Sequence, residues 1–304
     1  MAEKNSKNIF SKKKKEQTDL RQQRLKQSQS QILNKKTSFV IQEAYRTART
    51  NIIFALASDN KEKAKVLCIS SANAGEGKTT TALNLAITFA QIGSKVLLID
   101  CDLRKPRIHQ YLGVIKTDGL TTILSKQKEF EDVVYHNLRP GLDCITSGSI
   151  PPNPAELLAS EAMSSLIDDL KEHYDYILLD TPPVTVVTDA VALSKIVSGI
   201  MLVVREGYTN HESIEQALKL LRMADAKVLG FFVNDIDAMN MNYGSYRTTY
   251  GTGYRYKYGY GYGRYGYGYG YGYGYSYGNN YKKTPKKQED EQGQDLTAIA
   301  SEGE

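Results

Sequence analysis

Short apolar runs recur through the middle of the chain, and helical spacing fills the intervals between them. Six runs read as strands: Lys65–Ser70, Lys95–Asp100, Leu142–Thr146, Tyr176–Asp180, Gly199–Val204 and Lys227–Asn234. Lys78–Ile92 reads as a helix closed by Gly93. Ala155, Leu158, Ala162, Leu166 and Leu170 recur at helical spacing, so Ala155–Leu170 reads as a second helix. Strands that are apolar almost throughout, separated by helices, predict an α/β fold: a mostly parallel sheet with helices on both faces.

The pattern fades at both ends. Residues 1–36 are rich in Lys, Gln and Ser and too poor in apolar side chains to offset the entropy of ordering, so a disordered basic arm is expected, densest at Lys12–Lys15. A solvated arm is the favoured reading; attraction to anionic lipid is the sharper one. Residues 243–281 hold 16 Tyr and 12 Gly among 39 positions, with almost no aliphatic side chains, and predict a second disordered tail. Residues 282–304 continue it as a polar end. The folded body is therefore placed at 37–242, with 37–60 as an N-terminal helical segment.

Charge follows the same division. The arm carries a net +8, the body −5 and the remainder +2, so the overall +5 reports the ends and gives no support to a nucleic-acid-binding body. Cys68, Cys101 and Cys144 are too few and too scattered for a disulfide scaffold or a metal site, and suit a reducing compartment. His109, His136, His173 and His211 suggest no metal cluster. No apolar run reaches the roughly 20 residues of a membrane span, and no secretory signal is evident, so a cytoplasmic address is expected.

The chemistry gathers at strand ends. Ser70–Thr80 follows a strand and opens a helix, and its Gly75-Glu76-Gly77-Lys78-Thr79-Thr80 segment reads as a P-loop. The glycines let backbone N–H groups face phosphate oxygens at a helix N-terminus. Lys78 is expected on the β- and γ-phosphates and the Thr79 hydroxyl on Mg²⁺, making ATP and Mg²⁺ the expected ligands. Ala72 replaces the first glycine of the pattern, a small change. Asp100 and Asp102 lie two apart at one strand end and Asp180 closes another, where open α/β sheets bind ligands. Three buried carboxylates there need a cation. Asn234 ends the last strand; its carboxamide either reads an adenine edge or forms a turn. Arg104, Lys105 and Arg107 follow the Asp pair and either neutralise a transferring phosphate or form a solvated loop.

Together these segments resemble the bacterial tyrosine kinases of capsule and exopolysaccharide synthesis. The resemblance spans about residues 37–281 and rests on the P-loop, on Asp100, Asp102 and Arg104 as a D-x-D-x-R element, and on Asp180, Pro182 and Pro183 as D-x-P-P. It rests further on Glu43, Arg46 and Arg49 in E-x-x-R-x-x-R, on Pro151–Leu158, and on the Tyr cluster. Partition and septum-placement ATPases share the fold class and are the alternative, with the Tyr tail as an interaction module. They carry a second Lys early in the loop, where this chain has Asn73, and Ala74 replaces the kinases' usual Pro. A nucleic-acid-associated ATPase is a weaker third reading.

The resemblance implies a protein-tyrosine kinase in which Lys78 and Thr79 hold phosphate and metal, Asp102 and Asp180 position Mg²⁺, and Asp100 is the base, with the assignment between Asp100 and Asp102 open. Glu43, Arg46 and Arg49 share one helix face, readable as a surface charge ladder, or by resemblance as the interface of a homo-oligomeric ring. The tail tyrosines, among them Tyr260, Tyr262, Tyr265, Tyr267, Tyr269, Tyr271, Tyr273, Tyr275 and Tyr277, become the autophosphorylation sites. Tyr45, Tyr111, Tyr135, Tyr174, Tyr176 and Tyr208 are expected to pack in the body. A membrane-bound polysaccharide co-polymerase would recruit the kinase to the inner face of the plasma membrane and activate it, a cognate phosphatase would reverse it, and nucleic acid is not an expected partner.

Overall fold

In the computed structural model, which describes residues 26, 29–57, 64–115 and 117–236, the six apolar runs become strands and a seventh joins them. The strands are β1 (Lys65–Ser71), β2 (Val96–Asp100), β3 (Tyr135–Arg139), β4 (Leu142–Ile145), β5 (Tyr176–Asp180), β6 (Gly199–Arg205) and β7 (Val228–Asn234). The helices are α1 (Phe39–Leu56), α2 (Lys78–Ala90), α3 (Ile108–Leu112), α4 (Leu120–Leu124), α5 (Phe130–Val133), α6 (Pro154–Leu158), α7 (Glu161–Leu170), α8 (Asp189–Ala192) and α9 (His211–Met223). The sheet order is β3-β4-β2-β5-β1-β6-β7, and only the β3–β4 pair is antiparallel.

Alternation along the central strands sorts their side chains between two layers. Leu67, Ile69, Leu98 and Leu178 pack with Leu83, Leu85 and Phe89 of α2 on one face. Val66, Leu97, Ile99, Ile177 and Leu179 pack with Met163, Ile167 and Leu170 of α7 on the other. Each face buries its own set, which is why these strands show no polar alternation. From β6, Ile200 and Leu202 meet Ala217 and Leu221 of α9.

Three expectations change. Ala155–Leu170 is two helices, because the Ser160 hydroxyl accepts from the Met163 amide at 3.3 Å and caps a new start. β3 went unseen because its Tyr-His-Asn-Leu-Arg sequence lies half-exposed at the sheet edge and offers no apolar run. Residues 29–36, assigned to the basic arm, reach the body instead. Ile32 and Leu33 are buried, the Leu33 amide donates to Asn84 Oδ1 at 2.8 Å, and Asn84 Nδ2 donates to the Gln31 carbonyl at 3.0 Å. Two consecutive aliphatic side chains and one buried carboxamide fix that short strap. The remaining expectations for the arm, the Tyr/Gly-rich tail and the polar end lie outside the described residues.

α1 covers the β7 side of the sheet. Its Tyr45 is buried and stacks on Phe232 with ring centroids 5.2 Å apart. Among the described residues no helix is long and apolar enough to cross a membrane.

Candidate active site

The loop between β1 and α2 turns through Gly75 (φ +83°) and Gly77 (φ +91°). Gly77 is the residue before α2, and no side chain caps the helix there. Its first turn contains no acid, so its free amides and positive end face outward as an anion cradle. A Cβ on Gly77 would run into the Asn234 carboxamide and force it aside, and the positive φ also favours glycine there.

Several neighbours hold the loop in shape. Glu76 is fully buried; its carboxylate accepts from the Asn73 amide at 2.9 Å, Asn73 Nδ2 at 3.2 Å and the Thr209 hydroxyl at 2.6 Å. Asn234 Nδ2 donates to the Glu76 carbonyl at 3.1 Å, and Asn234 Oδ1 accepts from the Asp235 amide. The Glu76 and Asn234 side chains thus brace the cradle from within. Tyr208 is half-exposed rather than packed; its hydroxyl donates to the Ala74 carbonyl at 3.1 Å and Arg205 sits over its ring. The Thr80 hydroxyl is engaged by that of Tyr111 at 3.2 Å.

The carboxylates converge on Lys78. Asp100 and Asp180 are register partners on adjacent parallel strands, so they emerge side by side from the strand tips. Asp102 Oδ2 accepts from Lys78 Nζ at 3.2 Å, and its Oδ1 accepts from the Lys105 amide at 2.9 Å. Asp100 is fully buried and accepts from the amides of Asp102 (3.3 Å) and Ile108 (3.1 Å). Both oxygens of Asp180 are buried without a hydrogen-bond partner.

Burial and the neighbouring Asp180 hold Asp100 well above the usual carboxylate range, although the Ile108 amide pulls the other way. Burial pushes Asp180 up to about 6, offset in part by Lys78 and by a Thr79 hydroxyl that approaches without completing a hydrogen bond. Burial opposes the charge of Lys78, but Asp180, Asp102 and Asp100 outweigh it and raise its pKa. The orphaned Asp180 oxygens, all hard donors beside Thr79 and Asp102, fit Mg²⁺. Among the described residues no group of three or more acidic, His or Cys side chains is arranged to hold a metal alone.

The structure thus brings together Gly75, Gly77, Lys78, Thr79, Asp100, Asp102, Asp180 and Asn234. Glu43 and Arg46 lie apart on α1 as an exposed ion pair at 2.6 Å. Arg49 turns inward and donates to the Thr88 carbonyl of α2 at 2.7 Å. The nine tail tyrosines lie outside the described residues. Sequence reasoning missed Asn73, Tyr208, Thr209 and Asp189. The first three follow from a rule it already used, since the ends of β1 and β6, paired in parallel, deliver them to one place. An open groove of about 1080 Å³ near the β3–β4 edge, lined in part by Lys95, His136, Asp143 and Tyr174, contains none of the motif residues.

Residues 64–229 match the family described as AAA domain. Over 207 residues the chain is 44% identical to the tyrosine-protein kinase YwqD of Bacillus subtilis, a span covering 68% of this chain and 86% of that one. The chain belongs to the bacterial tyrosine kinase family. The tyrosine-protein kinase CpsD of Streptococcus agalactiae is 36% identical over 208 residues, which cover 67% of this kinase and 88% of CpsD. The kinase domain of the Escherichia coli tyrosine kinase ETK superposes with a TM-score of 0.61 at 32% identity, over 71% of this kinase and 80% of that chain. A bacterial tyrosine kinase built on a nucleotide-binding P-loop sheet therefore accounts for both the motifs and their geometry, and the chain is a protein-tyrosine kinase.

Proposed function

We propose that the kinase uses ATP and Mg²⁺ to phosphorylate tyrosines of its own tail, residues 243–281. The observation that carries this is the orphaned Asp180 carboxylate, buried beside Asp100 and next to a lysine at the mouth of an anion cradle. The backbone amides at Gly75–Thr79 and the Lys78 ammonium would bind the phosphates. Asn234, whose carboxamide is held between the Glu76 carbonyl and the Asp235 amide, would keep the cradle in shape, and would have to leave these partners to read an adenine edge. Thr79, Asp102 and Asp180 would hold Mg²⁺, which when bound neutralises charge on the phosphates.

An incoming tyrosine hydroxyl has a pKa near 10 and arrives protonated. Asp100, whose burial strengthens its basicity, takes that proton as the phenol oxygen bonds to the γ-phosphorus and the bond to the β-phosphate oxygen breaks. A glycine-rich sequence would let tail tyrosines enter the site in extended form, and about 20 such residues would reach roughly 25 Å on average, enough for transfer between subunits. Exposed Glu43 and Arg46 are open to a neighbouring copy, with Arg49 bracing their helix, in a homo-oligomeric ring.

By likeness to its relatives the kinase would serve capsule or exopolysaccharide synthesis. A membrane-bound co-polymerase would draw it to the inner face of the plasma membrane, and a phosphatase would reset the tail. Incubating the purified chain and its activator with Mg-ATP, then mapping phosphotyrosine by mass spectrometry, tests the reading. Lys78→Met should abolish labelling, and deletion of 243–281 should remove most of it while sparing ATP binding. ATP hydrolysis without self-labelling would favour the positioning-ATPase alternative.

A further inference from the structure

The D-x-D-x-R arginine is committed to a carboxylate outside the motifs. Arg104 Nε donates to Asp189 Oδ2 at 3.1 Å and Arg104 Nη2 to Asp189 Oδ1 at 3.0 Å, a two-pronged pair. Asp189 is fully buried, whereas the Arg104 side chain is 39% exposed. A buried carboxylate held by one planar fork fixes the direction of that fork, and the fork then fixes the loop that carries it.

Both ends of this tie matter to the site. Arg104 lies two residues beyond Asp102, whose carboxylate holds Lys78. Asp189 opens α8, at the end of the segment that follows Asp180. That segment is zipped along β1 and the P-loop. Ser70 Oγ donates to the Pro182 carbonyl at 2.8 Å, the Val184 amide donates to the Ser71 carbonyl at 2.9 Å, and Thr185 Oγ1 donates to the Ala72 carbonyl at 2.6 Å. Nearer the sheet, the Cys101 amide donates to the Asp180 carbonyl at 2.8 Å. The three acidic and glycine-rich motifs therefore form a closed frame: P-loop to the Asp180 segment by backbone and hydroxyl bonds, Asp180 segment to the Asp102 loop by the ion pair, and Asp102 loop to the P-loop by Lys78.

We infer that Asp189 is a positioning residue for phosphoryl transfer, acting through Arg104 to hold the Asp100–Asp102 loop at the nucleotide. The motif arginine thus works inward as a tie, not outward as a phosphate ligand. The inference rests on Asp100 and Asp102 serving the transfer.

The two roles for Arg104 predict opposite behaviour. Asp189→Asn keeps shape and removes the charge that aims the guanidinium. If Arg104 is a tie, kcat for phosphotyrosine formation in the full chain falls by about tenfold to a hundredfold, the scale of a misplaced catalytic group. KM for ATP stays within about twofold, and the Mg²⁺ concentration for half-maximal rate rises. If Arg104 binds phosphate, Asp189→Asn leaves kcat at or above wild type, and that result overturns the inference.

Arg104→Ala strands a buried carboxylate and can unfold the chain, so Arg104→Ala/Asp189→Asn, which removes both charges, completes the comparison. The double variant should lose no more kcat than Asp189→Asn alone; multiplied losses overturn the coupling. Arg104→Lys, which keeps charge without the fork, should fall between wild type and the double variant. A parallel loss of ATP binding and melting temperature in Asp189→Asn would mark a purely structural residue and also overturn the inference. Wild-type labelling in the same assay separates failure of this idea from failure of the kinase reading itself.

Discussion

Replacing Asp180 with Asn should stabilise the metal-free protein at neutral pH while abolishing its activity. The carboxylate is fully buried with neither oxygen partnered, and burial lifts its pKa from 3.8 to about 6 against the opposing pull of Lys78. A shift of about 2 units corresponds to about 3 kcal/mol spent ionising the group inside the fold. Below about pH 4 the acid is protonated in both folded and unfolded chains and contributes nothing. As pH rises the unfolded chain releases its proton first, so stability declines until the folded group also ionises near pH 6; above that the full penalty stands. Asparagine mimics the protonated acid and escapes the penalty. In EDTA without nucleotide, Asp180→Asn should match wild type near pH 4. It should exceed wild type by about 2–3 kcal/mol at pH 7.5, or about 5–10 °C in melting temperature for a domain of this size. Urea unfolding across that pH range measures it. Mg²⁺ with a non-hydrolysable nucleotide should narrow the gap by stabilising wild type more than the variant. A variant less stable than wild type at pH 7.5, or a gain that persists unchanged to pH 4, refutes the reasoning.

Two glycine substitutions should differ although both residues have positive φ. Gly75→Ala meets open space and incurs only backbone strain of about 1–2 kcal/mol, whereas Gly77→Ala also expels the Asn234 carboxamide from the cradle and should weaken nucleotide binding at least tenfold more, by calorimetry. Asn84→Ala removes the buried partner of the Leu33 amide and the Gln31 carbonyl, so it should cost about 1–3 kcal/mol by urea unfolding. It should also expose Lys35 and Lys36 to limited trypsin cleavage while α2 itself stays protected.

How much was legible depended on where the signal lies. The parallel sheet could be read because strands buried on both faces leave uninterrupted apolar runs, as in Val66–Ile69. The acids at 100 and 180 could be read because each closes such a run, and Asp102 because it lies two residues beyond one. The Ala155–Leu170 break could not, since apolar spacing continues across Ser160 and only the cap ends one helix and starts the next. β3 was hidden by its half-exposed edge position. The strap at Ile32–Leu33 was hidden by composition, because averaging over the basic arm submerges two aliphatic residues whose anchor is 51 positions away at Asn84. Asp189 gave no local sign at all: its partner lies 85 residues distant, and only the fold brings the two together.

The charges at the site explain why phosphate and metal would have to enter together. Parallel registry forces Asp100 and Asp180 side by side, and burial makes their joint ionisation costly. Lys78 is the cation that eases this cost in the protein alone, and it is committed to Asp102 at 3.2 Å. A triphosphate arriving by itself would draw Lys78 away and leave three carboxylates uncompensated next to its own negative charge. A divalent cation arriving by itself would compete with Lys78 for Asp102. Arriving together, each would resolve the other's conflict: the Lys78 ammonium would be free to hold phosphate, and Asp102 and Asp180 would have a cation to hold. Nucleotide affinity should therefore collapse in EDTA far more than the loss of one ligand contact explains. A wild-type protein that binds ATP equally well with and without Mg²⁺ would break this argument, and Asp180→Asn, with one fewer charge to neutralise, should show the weaker metal dependence of the two.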